Sequence, residues 1–198
     1  MPELKDNDIC AFGKIKRLET KKLSHIVKLS IHYWWNFEAL ELDNQSLSMF
    51  EELRILQLYK FDTIMRPFGV MNDGLMPKLK HLYIQTCPLL RRLVLKKLSN
   101  LRDIKIWGCN DLRELEVGTG AFPMLESLEL LECEKVENIV GPCDVWDDKT
   151  IPKIQLLTIL LCPLLRRLSG GMETLSKLQK IIDWVVTKYN LGRWECEN

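Results

Sequence analysis

One phrase governs what this chain can fold into: an aliphatic residue, two of any kind, a second aliphatic, one of any kind, and a third aliphatic. It reads Ile26-Leu29-Ile31, Leu53-Leu56-Leu58, Leu79-Leu82-Ile84, Leu101-Ile104-Ile106, Leu125-Leu128-Leu130 and Ile154-Leu157-Ile159, with a degenerate seventh copy at Leu178 and Ile181. The copies begin at positions 26, 53, 79, 101, 125, 154 and 178, so their spacing varies only between 22 and 29 residues. A unit this short cannot bury its own apolar side. Recurrence at this period therefore means that successive turns of chain stack and share one continuous core.

Inside the phrase, the spacing of two between the second and third aliphatics marks a short strand with one buried face. The first aliphatic turns inward as the chain bends toward the next unit. These features predict an α/β solenoid, a leucine-rich-repeat arc of about seven coils with a parallel β-sheet on the concave side and mostly irregular convex segments. With strands about 4.8 Å apart, such a stack is roughly 30 Å long, an arc and not a closed ring. Four copies carry a cysteine three residues after the third aliphatic, Cys87, Cys109, Cys133 and Cys162, each followed by a further phrase: Leu90-Leu93, Leu112-Leu115, Val136-Ile139 and Leu165-Leu168. Pro77, Pro123 and Pro152 stand two residues before a first aliphatic, where a missing backbone donor costs little and a fixed φ stiffens the approach to the strand.

The organisation expected is a partial N-terminal repeat or cap over 1–22, the repeat domain over 23–182 and a C-terminal cap over 183–198. Only a fragment of the pattern, Ile15-x-x-Leu18, survives at the start, within a stretch rich in lysine. Near the end, Leu175, Leu178, Ile181, Ile182, Val185, Val186 and Tyr189 fall at helix-like offsets. Two readings follow for that segment, a last strand with a short helix after it or one longer helix, and Trp184 and Trp194 are placed to cover the final core. The turn-forming insertion 141–148 belongs on the convex side or a rim.

Composition narrows the function. Lysine and arginine total 28 against 27 acidic residues, a net charge of +1 that gives no electrostatic reason to expect nucleic acid or an anionic membrane as partner. The longest nearly apolar run, Leu156 to Leu165, is about half of the roughly 20 residues a membrane-crossing helix needs. A charged amino terminus without an apolar stretch reads as non-secretory, which leads to an expectation of a cytosolic or nuclear location. The 7 cysteines are odd in number and lack C-x-x-C spacing, so reduced thiols are expected. A ladder of thiols does not converge as structural zinc requires, so no metal is expected. His25, His32 and His81 have no nucleophile or carboxylate spacing around them, and no G-x-x-x-x-G-K-[ST] loop is present. Neither catalysis nor a cofactor is expected.

On a parallel sheet the residues flanking the buried aliphatics face outward, and equivalent positions in successive coils form columns. One column reads Lys28, Ile55, His81, Asp103, Ser127, Leu156; a second reads Ser30, Gln57, Tyr83, Lys105, Glu129, Thr158; a third reads His32, Tyr59, Gln85, Trp107, Leu131, Leu160. Aromatic rings interleaved with charge are what protein contacts favour, because large rigid side chains supply most of their binding energy. The candidate protein-binding residues are therefore Tyr59, His81, Tyr83, Asp103, Lys105, Trp107 and Glu129. A plainer account has the rings packing on adjacent strands and the charges of Asp103, Lys105 and Glu129 pairing across them for about 0 to 1 kcal/mol each.

The segment Met76-Pro77-Lys78-Leu79-Lys80-His81-Leu82-Tyr83-Ile84-Gln85-Thr86-Cys87-Pro88-Leu89-Leu90-Arg91-Arg92-Leu93, whose second half is repeated at Cys162-Pro163-Leu164-Leu165-Arg166-Arg167-Leu168, resembles the carboxy-terminal repeats of plant nucleotide-binding leucine-rich-repeat immune receptors of the coiled-coil class. The likeness covers residues 23 to 182, and the ending Leu191-x-x-Trp194-Glu195 is similar to that family's tail. The resemblance implies a protein-binding domain in pathogen recognition, innate immunity and disease resistance that also holds a nucleotide-binding switch inactive. Its implied partners are a pathogen effector, a guarded host protein or the receptor's own nucleotide-binding domain. The missing phosphate loop keeps nucleotide binding out of this chain. The alternative is the substrate-receptor repeat of a ubiquitin ligase, whose coils also contain cysteine but are more uniform in length, or a generic leucine-rich-repeat scaffold.

Overall fold

A computed structural model of the chain describes residues 26–32, 50–60, 70–71, 73–74, 76–117, 122–140, 151–165, 167–168 and 180–184. In chain order its strands are β1 (Lys28–His32), β2 (Ile55–Tyr59), β3 (Val70–Met71), β4 (His81–Gln85), β5 (Arg92–Leu95), β6 (Asp103–Trp107), β7 (Glu114–Val117), β8 (Ser127–Leu131), β9 (Asn138–Val140), β10 (Leu156–Leu160), β11 (Arg167–Leu168) and β12 (Lys180–Trp184). They form two sheets, seven-stranded in the order β1-β2-β4-β6-β8-β10-β12 and five-stranded in the order β11-β9-β7-β5-β3. Every pairing is parallel. The chain is a solenoid, with its repeated phrase on the seven-stranded sheet.

Registry follows the phrase without a slip. Leu29 sits opposite Leu56, Leu56 opposite Leu82, and the row continues through Ile104, Leu128 and Leu157 to Ile181. Shifting any strand by one residue would turn its aliphatics outward, so the shared core enforces this alignment. Leu29, Leu56, Leu82, Ile104, Leu128 and Leu157 of that row, with Ile31, Leu58, Ile84, Ile106, Leu130 and Ile159 of the next, are buried in one cluster.

Five strands of the larger sheet, β2, β4, β6, β8 and β10, are approached through a tight turn. Leu53 donates its backbone N–H to the carbonyl of Phe50, Leu79 to Met76, Leu101 to Leu98, Leu125 to Phe122 and Ile154 to Ile151. Pro77, Pro123 and Pro152 occupy the second position of three of these turns, where a fixed φ near −65° is already correct. The residue opening each turn, Phe50, Met76, Leu98, Phe122 or Ile151, is fully buried. That inward position lies outside the phrase, and the sequence reading misses it.

A second turn begins at the cysteines: Leu90 donates to the carbonyl of Cys87, Leu112 to Cys109, Val136 to Cys133 and Leu165 to Cys162. All four are buried thiols outside any disulfide, and each donates to the carbonyl two residues earlier, at 3.5 Å for Cys87, 3.7 Å for Cys109, 3.4 Å for Cys133 and 3.5 Å for Cys162. Hydrogen bonding with Cys133 and Cys87, together with burial, holds the Cys109 thiol well above the ordinary range. These side chains act as small apolar fillers that keep the turn's carbonyls satisfied.

After the second turn the chain forms the five-stranded sheet, where the sequence reading anticipates mostly irregular structure. The cause is a second run of the same syntax, Leu90-x-x-Leu93-x-Leu95 and Leu112-x-x-Leu115-x-Val117, whose aliphatics are all buried. Period two again means a strand. Among the described residues there is no α-helix, so the solenoid is built from strands and turns. Residues 180–184 form β12, which favours the strand reading of the C-terminal segment over a single long helix. The expected N-terminal cap 1–22, the insertion 141–148, Trp194 and the C-terminal cap past Trp184 lie outside the described residues. No helix among the described residues is long and apolar enough to cross a membrane.

Candidate functional site

Because β2, β4, β6 and β8 alternate between partly exposed and buried positions, their first, third and fifth residues form the outward columns read from the sequence. His81 pairs in register with Asp103, Tyr83 with Lys105, and Lys105 with Glu129. The seven candidate residues thus lie on one face. They do not form one interacting group.

Two charge contacts tie adjacent strands. His81 Nδ1 lies 2.6 Å from Asp103 Oδ2, and Lys105 Nζ donates to Glu129 Oε2 at 3.0 Å. The expected cross-strand pairing therefore holds for Lys105 and Glu129, whereas Asp103 turns to His81. Tyr83 lies nearly parallel to the imidazole of His81, with ring centroids 6.3 Å apart and an 11° tilt. Desolvation raises the Tyr83 pKa, and the charges of Asp103 and Glu129 add to the effect, so the phenol stays protonated as a hydrogen-bonding group. Tyr59 belongs to a different neighbourhood, 5.6 Å from the ring of His32 and with Lys60 Nζ 5.5 Å from its centroid. At the margin of the sheet, Ser30 donates to Gln57 Oε1 at 2.7 Å.

Trp107 marks where the strand face meets its rim. Its indole is 40% exposed, and Nε1 donates to Glu132 Oε2 at 2.8 Å. Beyond the strand ends runs a column that sequence reasoning missed: Lys60, Thr86, Gly108, Glu132 and Leu161, all at positive φ between 48° and 63°. Each of the first four donates its N–H to the carbonyl ending the next strand, Gln85, Trp107, Leu131 or Leu160. In those four the left-handed residue extends the ladder by one bond, and after Thr86, Gly108, Glu132 and Leu161 the chain swings into the cysteine turn. Gly108 immediately before Cys109 is the one local signal of it in the sequence. Alongside this column lies an open groove of about 870 Å³ whose walls include Trp107, Leu161 and Leu164 and whose carboxylates are Glu132 and Glu134.

Among the described residues no set of histidine, cysteine, aspartate and glutamate side chains converges to hold a metal ion. What the arrangement offers chemically is contact: rigid rings, fixed charges and a groove on a stiff stack. Fold and surface together define a parallel-strand repeat solenoid. No protein-family model matches the chain, and no solved structure matches it.

Proposed function

We propose that this chain is the protein-binding leucine-rich-repeat domain of a plant immune receptor, acting in pathogen recognition, defence and autoinhibition, and that it is not an enzyme. The observation that carries the reading is the strand face, on which the hydrogen-bonded pair His81 and Asp103 and the ion pair of Lys105 with Glu129 stand beside the half-exposed ring of Trp107. Exposed aromatics held on a rigid support lose little entropy on binding and are the usual anchors of protein contacts. The resemblance of the segment from Met76 to Leu93 to receptor repeats supplies the immune context. Its partners on this reading are an effector, a guarded host protein or the receptor's own nucleotide-binding domain, met in the cytosol or nucleus.

Two measurements test the proposal. Sequencing the transcript upstream of Met1 is expected to reveal a continuous frame carrying G-x-x-x-x-G-K-[ST], and an in-frame stop there refutes the receptor reading. Titrating the upstream nucleotide-binding domain onto the chain by calorimetry is expected to give saturable binding. Tyr83→Ala, Trp107→Ala, Lys105→Glu and Glu129→Lys together should weaken it about tenfold or more, the loss of one or two anchor residues, with the circular dichroism spectrum unchanged. Unaltered affinity in that variant shows that the strand face is not the contact surface.

A further inference from the structure

We propose that the rim groove binds an extended, arginine-bearing segment of a partner protein, with a guanidinium lying over Trp107 and paired with Glu132 and Glu134. The inference rests on reading the solenoid as a protein-binding module and adds the chemistry of what it binds.

Apolar surface is concentrated in this groove. Of the five large hydrophobic side chains exposed among the described residues, three line it: Trp107, Leu161 and Leu164. Its volume of about 870 Å³ is that of a ligand-sized pocket. Gly108 adds no side chain to its lining. In the left-handed column Thr86 stands on one side of Gly108 and Glu132 on the other, and a Cβ at Gly108 would enter the gap 3.5 Å from Thr86 Oγ1.

Charge selects the occupant. Glu132 accepts from the Trp107 indole, a neutral donor, so its negative charge is oriented without being neutralised. Glu134 is exposed, and no hydrogen bond or ion pair joins it to another side chain among the described residues. Lys135, the one cation lining the groove among the described residues, is held by Asp111 at 2.5 Å, which offsets its charge. Two carboxylates beside an indole match a cation with a flat face, and arginine fits better than lysine because a guanidinium stacks on the ring while its N–H groups reach both carboxylates. The lining reaches from the end of β4 to the turn after β10, three strand spacings or about 14 Å, the span of about four extended residues.

The test uses the full chain labelled at tryptophan and the capped hexapeptide of alternating leucine and arginine, with lysine-for-arginine and glutamate-for-arginine versions beside it. The arginine peptide is expected to move the Trp107 indole N–H resonance saturably, the lysine peptide to bind several-fold more weakly, and the glutamate peptide to have no effect. Glu132→Gln with Glu134→Gln should weaken arginine-peptide binding about tenfold or more, the loss of two charge-assisted contacts. Gly108→Asn, which tolerates positive φ, should weaken it by filling the gap. An unmoved Trp107 resonance, equal binding of the arginine and glutamate peptides, equal binding of the lysine peptide, or full affinity in the glutamine variant overturns the proposal. If the upstream domain still binds the strand face while the peptide fails, the groove assignment falls alone; failure of the upstream domain with peptide binding intact removes the receptor reading and leaves the groove.

Discussion

Residues in the left-handed column show how a repeat concentrates strain at one place in five successive described coils. Lys60, Thr86, Glu132 and Leu161 carry side chains at positive φ, and only Gly108 adopts that conformation freely. Gly108→Ala should cost about 1–2 kcal/mol, since the added Cβ makes only an ordinary contact at 3.5 Å and the cost is conformational. The reverse change, Thr86→Gly, should gain about 0.5–1 kcal/mol, relief of left-handed strain less the extra freedom of the unfolded glycine; urea unfolding midpoints check both. At Asp111, the hydrogen bond and charge of Lys135 hold the carboxyl below the usual carboxylate range. A depressed folded pKa means stability that is present above the unfolded carboxylate pKa and lost as pH falls through the folded value. Lys135→Met should therefore raise the Asp111 pKa in an NMR titration, and its stability deficit at neutral pH should vanish in acid below the folded pKa.

At the level of the strand and its two turns, the inward positions bear the energy. Phe122 opens the turn into β8 and is fully buried, so Phe122→Ala should cost about 3–5 kcal/mol. Gln155→Ala, exposed at the equivalent turn before β10, should fall within about 0.5 kcal/mol; the same denaturant series compares them. The seven-stranded sheet was legible because its aliphatics repeat. Phe50, Met76, Leu98, Phe122 and Ile151 were not, because they differ in type and stand three residues ahead of the phrase. The strand character of β5 and β7 lies in the period-two steps Leu93-x-Leu95 and Leu115-x-Val117, each of which follows a spacing of three, Leu90-x-x-Leu93 and Leu112-x-x-Leu115.

Across the whole molecule, stability passes from coil to coil because each strand is bonded only to its neighbours in the stack. Backbone amides of β4, β6 and β8, flanked on both sides, should exchange with solvent on the order of tenfold more slowly than those of β1, one of the two end strands of the seven-stranded sheet among the described residues. Hydrogen-exchange mass spectrometry reads the difference; equal rates would show one cooperative unit in place of a neighbour-limited stack. Repetition also explains what each level of information determines. The aliphatic period alone dictates parallel stacking, registry and the identity of the outward columns, because every coil must solve the same burial problem and any slip exposes its whole apolar row. Only the folded stack decides that Asp103 meets His81, that Trp107 turns to Glu132, and that a groove runs beside Gly108, Leu161 and Leu164. Those contacts join residues from different coils at positions under no common burial demand, so their partners are chosen by side-chain reach and charge after the coils have been brought together.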